Sequence, residues 1–131
     1  MQEISNIFQS ADWKKEKHVP VIEAPVKVGK GMDIVVKVTV GKEIAHPNTT
    51  EHHISSIDVY FHPDGSKFPY SLGRFEFCSH GASTDGPNTS TVYTHPTATI
   101  TFKTDKSGSL FAISNCNIHG LWINSQELKV E

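Results

Sequence analysis

Apolar and polar residues alternate over three segments of the chain. Val36, Val38 and Val40 flank Lys37 and Thr39. Ile57, Val59 and Phe61 flank Asp58 and Tyr60. Ala98, Ile100 and Phe102 are interleaved with Thr97, Thr99 and Thr101. A period of two places successive side chains on opposite faces of an extended backbone, so each run predicts a strand with one buried face. Weaker runs of the same kind lie near Val26 to Val28, Leu72 to Cys78, Val92 to Thr94, Leu110 to Ser114 and Leu128 to Val130. Between them stand turn formers: Gly29-Lys30-Gly31, Pro63-Asp64-Gly65-Ser66, Asp85-Gly86-Pro87-Asn88 and Asp105-Lys106-Ser107-Gly108. Seven or eight short strands so spaced predict an antiparallel β-sandwich. One stretch departs from the period. Ile4, Ile7, Phe8 and Ala11 fit one face of a short N-terminal helix.

Composition strengthens the β reading. Val, Ile and Thr number 11 each, whereas Leu and Ala together number ten. β-Branched side chains suit a pleated surface better than a helix. A length of 131 residues is that of a single domain, 1–131, with no repeat or linker to divide it. The balance of 12 Lys+Arg against 14 Asp+Glu excludes a nucleic-acid binder working through a strongly basic face. No apolar run approaches the roughly 20 residues of a membrane span, and the first residues lack the pattern of a secretory signal. Two cysteines allow one bridge at most. The anomaly is the eight histidines, twice the number of leucines.

The histidines gather in or beside loops, and three segments carry candidate chemistry. In Cys116-Asn117-Ile118-His119-Gly120, a thiol and an imidazole two residues apart are followed by a glycine that permits a tight turn, so both can converge on one ion. A buried free cysteine beside an incidental surface histidine is the alternative. In His46-Pro47-Asn48-Thr49-Thr50-Glu51-His52, the proline pushes His46 toward extended backbone, and a loop entering the strand at Ile57 can bring His46 and His52 to one point. A polar, solvated connection is the alternative there. His53, next in an extended chain, is expected to point away from His52. Glu16-Lys17-His18-Val19-Pro20 is the least specific; with Lys14 and Lys15 it makes a locally positive region that would steer a small anion. Together the segments offer four imidazoles and one thiolate, one more ligand than a structural zinc site uses. On a six-coordinate metal, five ligands leave an open position, and imidazole with thiolate suits a redox metal.

These three segments, in this order and over nearly the whole chain, resemble the motifs of the superoxide reductases, also called neelaredoxins, the single-iron form of the desulfoferrodoxin family. With only Cys78 and Cys116 present, the four-cysteine iron site of the longer desulfoferrodoxins has no counterpart. The resemblance implies an all-β fold, an immunoglobulin-like antiparallel sandwich of about seven strands. It implies one mononuclear non-haem iron held by His18, His46, His52 and His119 in a plane, with Cys116 as axial thiolate. Glu16 matches the carboxylate that occupies the sixth position in the oxidised state, and Lys17 the cation beside the open side. Cys78, His53, His62, His80 and His95 match no functional position.

The reaction implied is the one-electron reduction of superoxide to hydrogen peroxide, with iron re-reduced by an external donor such as rubredoxin. A cytoplasmic homotetramer is implied as well. Two other readings stay open on the residues alone. A copper carrier would use two histidines, a cysteine and a weak axial methionine, yet Met1 and Met32 do not follow the Cys-His turn. A non-catalytic binding module would use Trp13, Tyr60, Tyr70, Phe75 and Trp122 as a recognition surface, whereas in the enzyme these aromatics would pack the core or shield the metal, Trp122 on the thiolate side.

Overall fold

A computed structural model describes residue 3 and residues 6–131. Eight strands appear among them: β1 (Val21–Glu23), β2 (Lys27–Val28), β3 (Ile34–Thr39), β4 (Ile54–Pro63), β5 (Tyr70–Glu76), β6 (Thr97–Phe102), β7 (Gly108–Cys116) and β8 (Gly120–Val130). They form a three-stranded sheet ordered β1-β3-β6 and a five-stranded sheet ordered β2-β8-β7-β4-β5. Every pairing is antiparallel except β2 with β8, which is parallel.

The three strongest alternating runs all became strands, and their inward residues meet between the sheets. Ile34, Val36 and Val38 of β3 and Ala98 of β6 face Ile57, Val59 and Phe61 of β4, Leu110 and Ala112 of β7 and Leu128 of β8. β7 alternates buried and half-buried side chains along its whole length, ending on buried Cys116. Its inner row is thus a line of core residues whose last member is a candidate ligand.

The pattern and the fold differ at four places. Val21–Glu23 carries no alternation long enough to notice, yet it pairs with Thr39, Val38 and Lys37 of β3 as an edge. Val92 to Thr94 is not a strand; it contributes one isolated bridge, Tyr93 to His80. β8 begins well before Leu128, at Gly120, because pairing with β7 from Gly120 to Leu128 holds the polar stretch in the sheet. The N-terminal helix is absent from the described part of its span, and Ile4 lies outside the described residues. Gln9 instead lies along the edge of β8: its amide donates to the Leu121 carbonyl (3.3 Å) and its carbonyl accepts from the Ile123 amide (2.8 Å). Backbone groups committed to a sheet edge are not available to helical hydrogen bonds.

β4 deviates from ideal pairing with β7 between Ile54 and Ser56. The extra residue makes Ser56 and Ile57 consecutive buried positions, as expected of a bulge that bends a strand near its end. Beyond it, Ile54 lies opposite Cys116, so the chain enters β4 from the His46–His53 loop at the level of the thiol.

Leu110, fully buried in β7, tests the link between core and site. Leu110→Ala should lower the unfolding free energy by about 2–5 kcal/mol, read as a shift of the urea midpoint.

Candidate metal centre

The candidate residues meet at the end of the sandwich where β7 turns into β8 and β4 begins. One ligating atom each from His18, His52, Cys116 and His119 lies within 4.8 Å of the others. His46 stands beside them. Around the ring of four imidazoles, successive centroids are 4.8 Å (His18–His46), 4.7 Å (His46–His52), 5.1 Å (His52–His119) and 4.7 Å (His119–His18) apart, with 6.3 Å between His18 and His52.

Each is placed by a different local device. Cys116 is the last residue of β7, buried, and its Sγ accepts the His119 amide N–H at 3.3 Å and lies 3.7 Å from His119 Nδ1. This compact turn closes through Gly120, whose φ of 78° is left-handed. A Cβ there would meet nothing within 4 Å, so the requirement is conformational rather than steric. His18 is held from two sides. Its carbonyl accepts the Ser114 hydroxyl (2.9 Å), a fully buried donor on β7, while Asn124 of β8 binds the Pro20 carbonyl (3.0 Å). Buried Val19, Pro20 and Val21 anchor the segment behind it. The 46–52 loop carries no ladder; instead the His52 amide donates to Thr49 Oγ1 (3.0 Å) and the Thr49 amide to the His52 carbonyl (2.9 Å). Gly41 (φ 84°) lets the preceding turn come close, since a Cβ at Gly41 would stand 2.7 Å from the His46 amide nitrogen.

The protonation pattern suits metal binding. His18 Nδ1–H donates to Glu16 Oε1 (2.6 Å), and His46 Nδ1–H to the Pro47 carbonyl (2.7 Å). In each ring the other nitrogen, Nε2, then carries the lone pair, the arrangement by which outer contacts orient ligating imidazoles. His46 Nε2 and His52 Nε2 are buried with no hydrogen-bond partner. Buried polar atoms without partners are rare in folded proteins, and two of them facing one thiol and two further imidazoles match the donor set of a nitrogen–sulfur metal site. Burial pushes the His46 pKa from an ordinary value of 6.5 down to about 4; the Pro47 carbonyl opposes this, while the charges of His18, His52 and Lys17 add to it. His52 is lowered chiefly by burial, then by His119, His18 and Lys17. The hydrogen bond from His18 holds the Glu16 carboxyl below the usual range.

Glu16 thus sits against the back of His18 through two contacts, ring Nδ1–H and backbone N–H (3.1 Å). Lys17, half-buried, has no ion-pair partner among the described residues. Its charge nonetheless reaches His46 and His52. Trp122, expected on the thiolate side, stacks its ring on His18 (4.9 Å, 15°) and donates its Nε1–H to the His119 carbonyl (3.2 Å). Of the other aromatics, Phe75 packs on the core, Tyr70 is exposed, and Trp13 lies between Lys14 and Lys42. His53 turns away from the ring of four and stacks on His80. Cys78 is an exposed free thiol. Sequence reasoning assigned no role to Ser114, Asn117 or Asn48, because single polar residues carry no spacing signal. Asn117 bridges the two ligand-bearing loops, accepting the His53 amide (2.9 Å) and donating to the Glu51 carbonyl (2.9 Å).

Residues 10–125 match the desulfoferrodoxin family profile. The chain belongs to the desulfoferrodoxin family. Within it, the chain is 57% identical over 126 residues to the superoxide reductase of Pyrococcus furiosus, covering 96% of this chain and 99% of that protein. It is 52% identical over 126 residues to the neelaredoxin of Megalodesulfovibrio gigas, covering 96% and 97%. The solved structure of the superoxide reductase (neelaredoxin) from Archaeoglobus fulgidus in the reduced form superposes with a TM-score of 0.87 at 63% identity, covering 94% of this chain and 98% of that one. These likenesses span both sheets and all three loops of this desulfoferrodoxin-family fold.

The lowered imidazole pKa values give an acid response in the metal-free chain. His46 is protonated below about pH 6.5 when unfolded but only below about 4 when folded. Between these values the unfolded chain binds more protons, so stability falls as pH falls through that window, by at most about 1.4 kcal/mol per pH unit from this group. The loss is complete below the lower value. Urea midpoints of the metal-free chain from neutral pH to pH 4 should show this slope, and His46→Asn should flatten it.

Proposed function

We propose that this chain, a superoxide reductase by family, reduces superoxide to hydrogen peroxide at a single iron held by His18, His46, His52, His119 and Cys116. The observation that carries the reading is the pair of buried imidazole nitrogens of His46 and His52 with no partner among the described residues, His52 sharing one point with His18, Cys116 and His119 and His46 packed against His18 and His52. Bound there, iron would supply the one electron that, with two protons, converts superoxide to hydrogen peroxide.

The chain's own residues do the rest. Burial keeps His46 and His52 neutral at pH 7, the state in which imidazole donates a lone pair. Glu16 fixes the His18 tautomer from behind, so its Nε2 carries the lone pair, and this nitrogen faces His119 Nδ1 at 3.1 Å. The same carboxylate is the one the family resemblance would bring to the oxidised metal, and to serve there it would have to leave His18 Nδ1. Lys17 supplies a positive charge with no competing ion pair, which attracts a small anion and holds a proton-bearing water near it. Cys116 would hold the metal through its sulfur and supply electron density to it, a lever also used in thiolate-ligated haem.

An external one-electron donor must restore the reduced metal, and a rubredoxin-type protein is the donor the family resemblance favours. We read the whole chain, 1–131, as one such domain; the profile match over residues 10–125 supports this. A homotetramer in the cytoplasm accords with the resemblance, and no helix among the described residues is long and apolar enough to cross a membrane.

Metal analysis with a visible spectrum tests the reading. A single iron per chain with a thiolate-to-iron band on oxidation is expected; one copper with an intense blue band, or a colourless metal-free protein, would reject it. Cys116→Ser should remove both the band and the reductase activity. Lys17→Ala should slow the reaction with superoxide on the order of tenfold at low salt and weaken its dependence on ionic strength, measured by pulse radiolysis or stopped flow. An unchanged rate would take Lys17 out of the reaction.

A further inference from the structure

The stacked imidazoles of His53 and His80 lie outside the candidate ligand set, and nothing in the proposed reaction uses them. Their rings are parallel within 5°, with centroids 3.6 Å apart. His80 points Nδ1 at Asn48 Oδ1 (2.9 Å) and Nε2 at the Phe77 carbonyl (2.5 Å). The Asn48 amide has a defined orientation, because its Nδ2–H donates to the Thr94 carbonyl at 2.8 Å. Its Oδ1 therefore faces His80 Nδ1; both ring contacts are to acceptors, a neutral imidazole donates to one of them, and the Nδ1–H tautomer is the one that binds Asn48. His53 Nδ1–H in turn donates to the Thr49 carbonyl (2.8 Å). The backbone of the same region adds to this: the His80 carbonyl accepts the Thr50 hydroxyl (3.4 Å), and Asn88 Oδ1 accepts the Thr50 amide (2.8 Å). Residues 48, 49 and 50 are the middle of the loop whose ends are His46 and His52.

We propose that His80 is a positioning residue of the metal centre: through Asn48, and by stacking on His53, it holds the 46–52 loop in the shape that aims His46 and His52 at one point. This rests on the reading of that point as a metal site. The loop belongs to no strand, so side-chain contacts set its path. Two buried imidazole nitrogens without partners favour any rearrangement that turns them toward water, and a brace must oppose it. The Cys116–His119 turn is tied to the Glu51–His53 segment by Asn117, but its thiol is placed by contacts inside the turn, the His119 amide to Cys116 Sγ and the left-handed Gly120. Loss of the brace should therefore fall on the His46 and His52 half of the site and leave the thiolate in place.

The test titrates the metal-free full-length chain with Co²⁺, which reports its thiolate ligand by a charge-transfer band and its overall geometry by ligand-field bands. Wild type, His80→Ala, Asn48→Ala, the double variant and His80→Gln are compared below their metal-free melting temperatures, which are measured alongside. His80→Ala is expected to weaken Co²⁺ binding by about 10–100-fold, the usual effect of losing an outer contact to a ligand. The thiolate band should persist while the ligand-field bands change. Asn48→Ala should cost about as much, the double variant no more than the larger single loss, and His80→Gln should recover part of it by restoring one donor to Asn48. Unchanged affinity in folded His80→Ala, even with a lowered melting temperature, would overturn the proposal, as would strictly additive losses. Should His80→Ala not fold, Asn48→Ala and His80→Gln decide by the same criteria. If wild type itself takes up no Co²⁺, it is the metal reading that fails.

Discussion

Buried imidazole nitrogens need a partner, and the arrangement at the end of this sandwich withholds one. His46 Nε2 and His52 Nε2 are cut off from water and from every protein donor and acceptor. A core would not tolerate this without some compensating interaction, because desolvating a polar atom and leaving it unmade costs about 1–3 kcal/mol. Around these two atoms the chain places another imidazole pair and a thiol, and then fixes the rings of His18 and His46 from behind and the His119 backbone through the thiol. Glu16 binds His18, the Pro47 carbonyl binds His46, and the Cys116 sulfur takes the His119 amide. The free edge of the rings is what remains for a metal.

The sandwich contributes rigidity at the place where it is needed. β7 carries a buried row that ends on Cys116, with Leu110, Ala112 and Ser114 behind it. The thiol is therefore tied to the hydrophobic core itself. The bulge in β4 shifts the register by one residue and brings Ile54 opposite Cys116, which delivers the His46–His53 loop to the same level. Ser114 and Asn124 extend this control to the first segment through its backbone carbonyls. Three loops distant in sequence thus lean on two adjacent strands.

Electrostatics complete the picture. His46 and His52 are kept neutral by burial and by their charged neighbours, while Lys17 stands nearby without an acidic partner among the described residues. A buried thiol among imidazoles, with a cation close enough to act on His46 and His52, suits the small-anion substrate proposed for the site. Glu16 connects the two features, since it adjoins Lys17 in sequence and holds His18 in space.

The alternation of β-branched residues was enough to place β3, β4 and β6, and the three polar segments were enough to name the residues that gather at the end of β7. Both are local signals: a period of two reflects one backbone geometry, and a Cys-x-x-His-Gly turn can close by itself. The short β1, the parallel edge made by β2 and Gln9 on β8, and the non-helical path of residues 6–11 could not be read this way, because an edge forms only when a partner strand offers unpaired backbone groups. Nor could the roles of Ser114, Asn117 and His80 be read, each an isolated residue acting on a loop far away in the chain. The sequence by itself determined which side chains have the chemistry of the site. Their convergence, their tautomers and the loss of water from His46 and His52 were decided only by the tertiary structure, because those depend on contacts between segments with no sequence pattern in common.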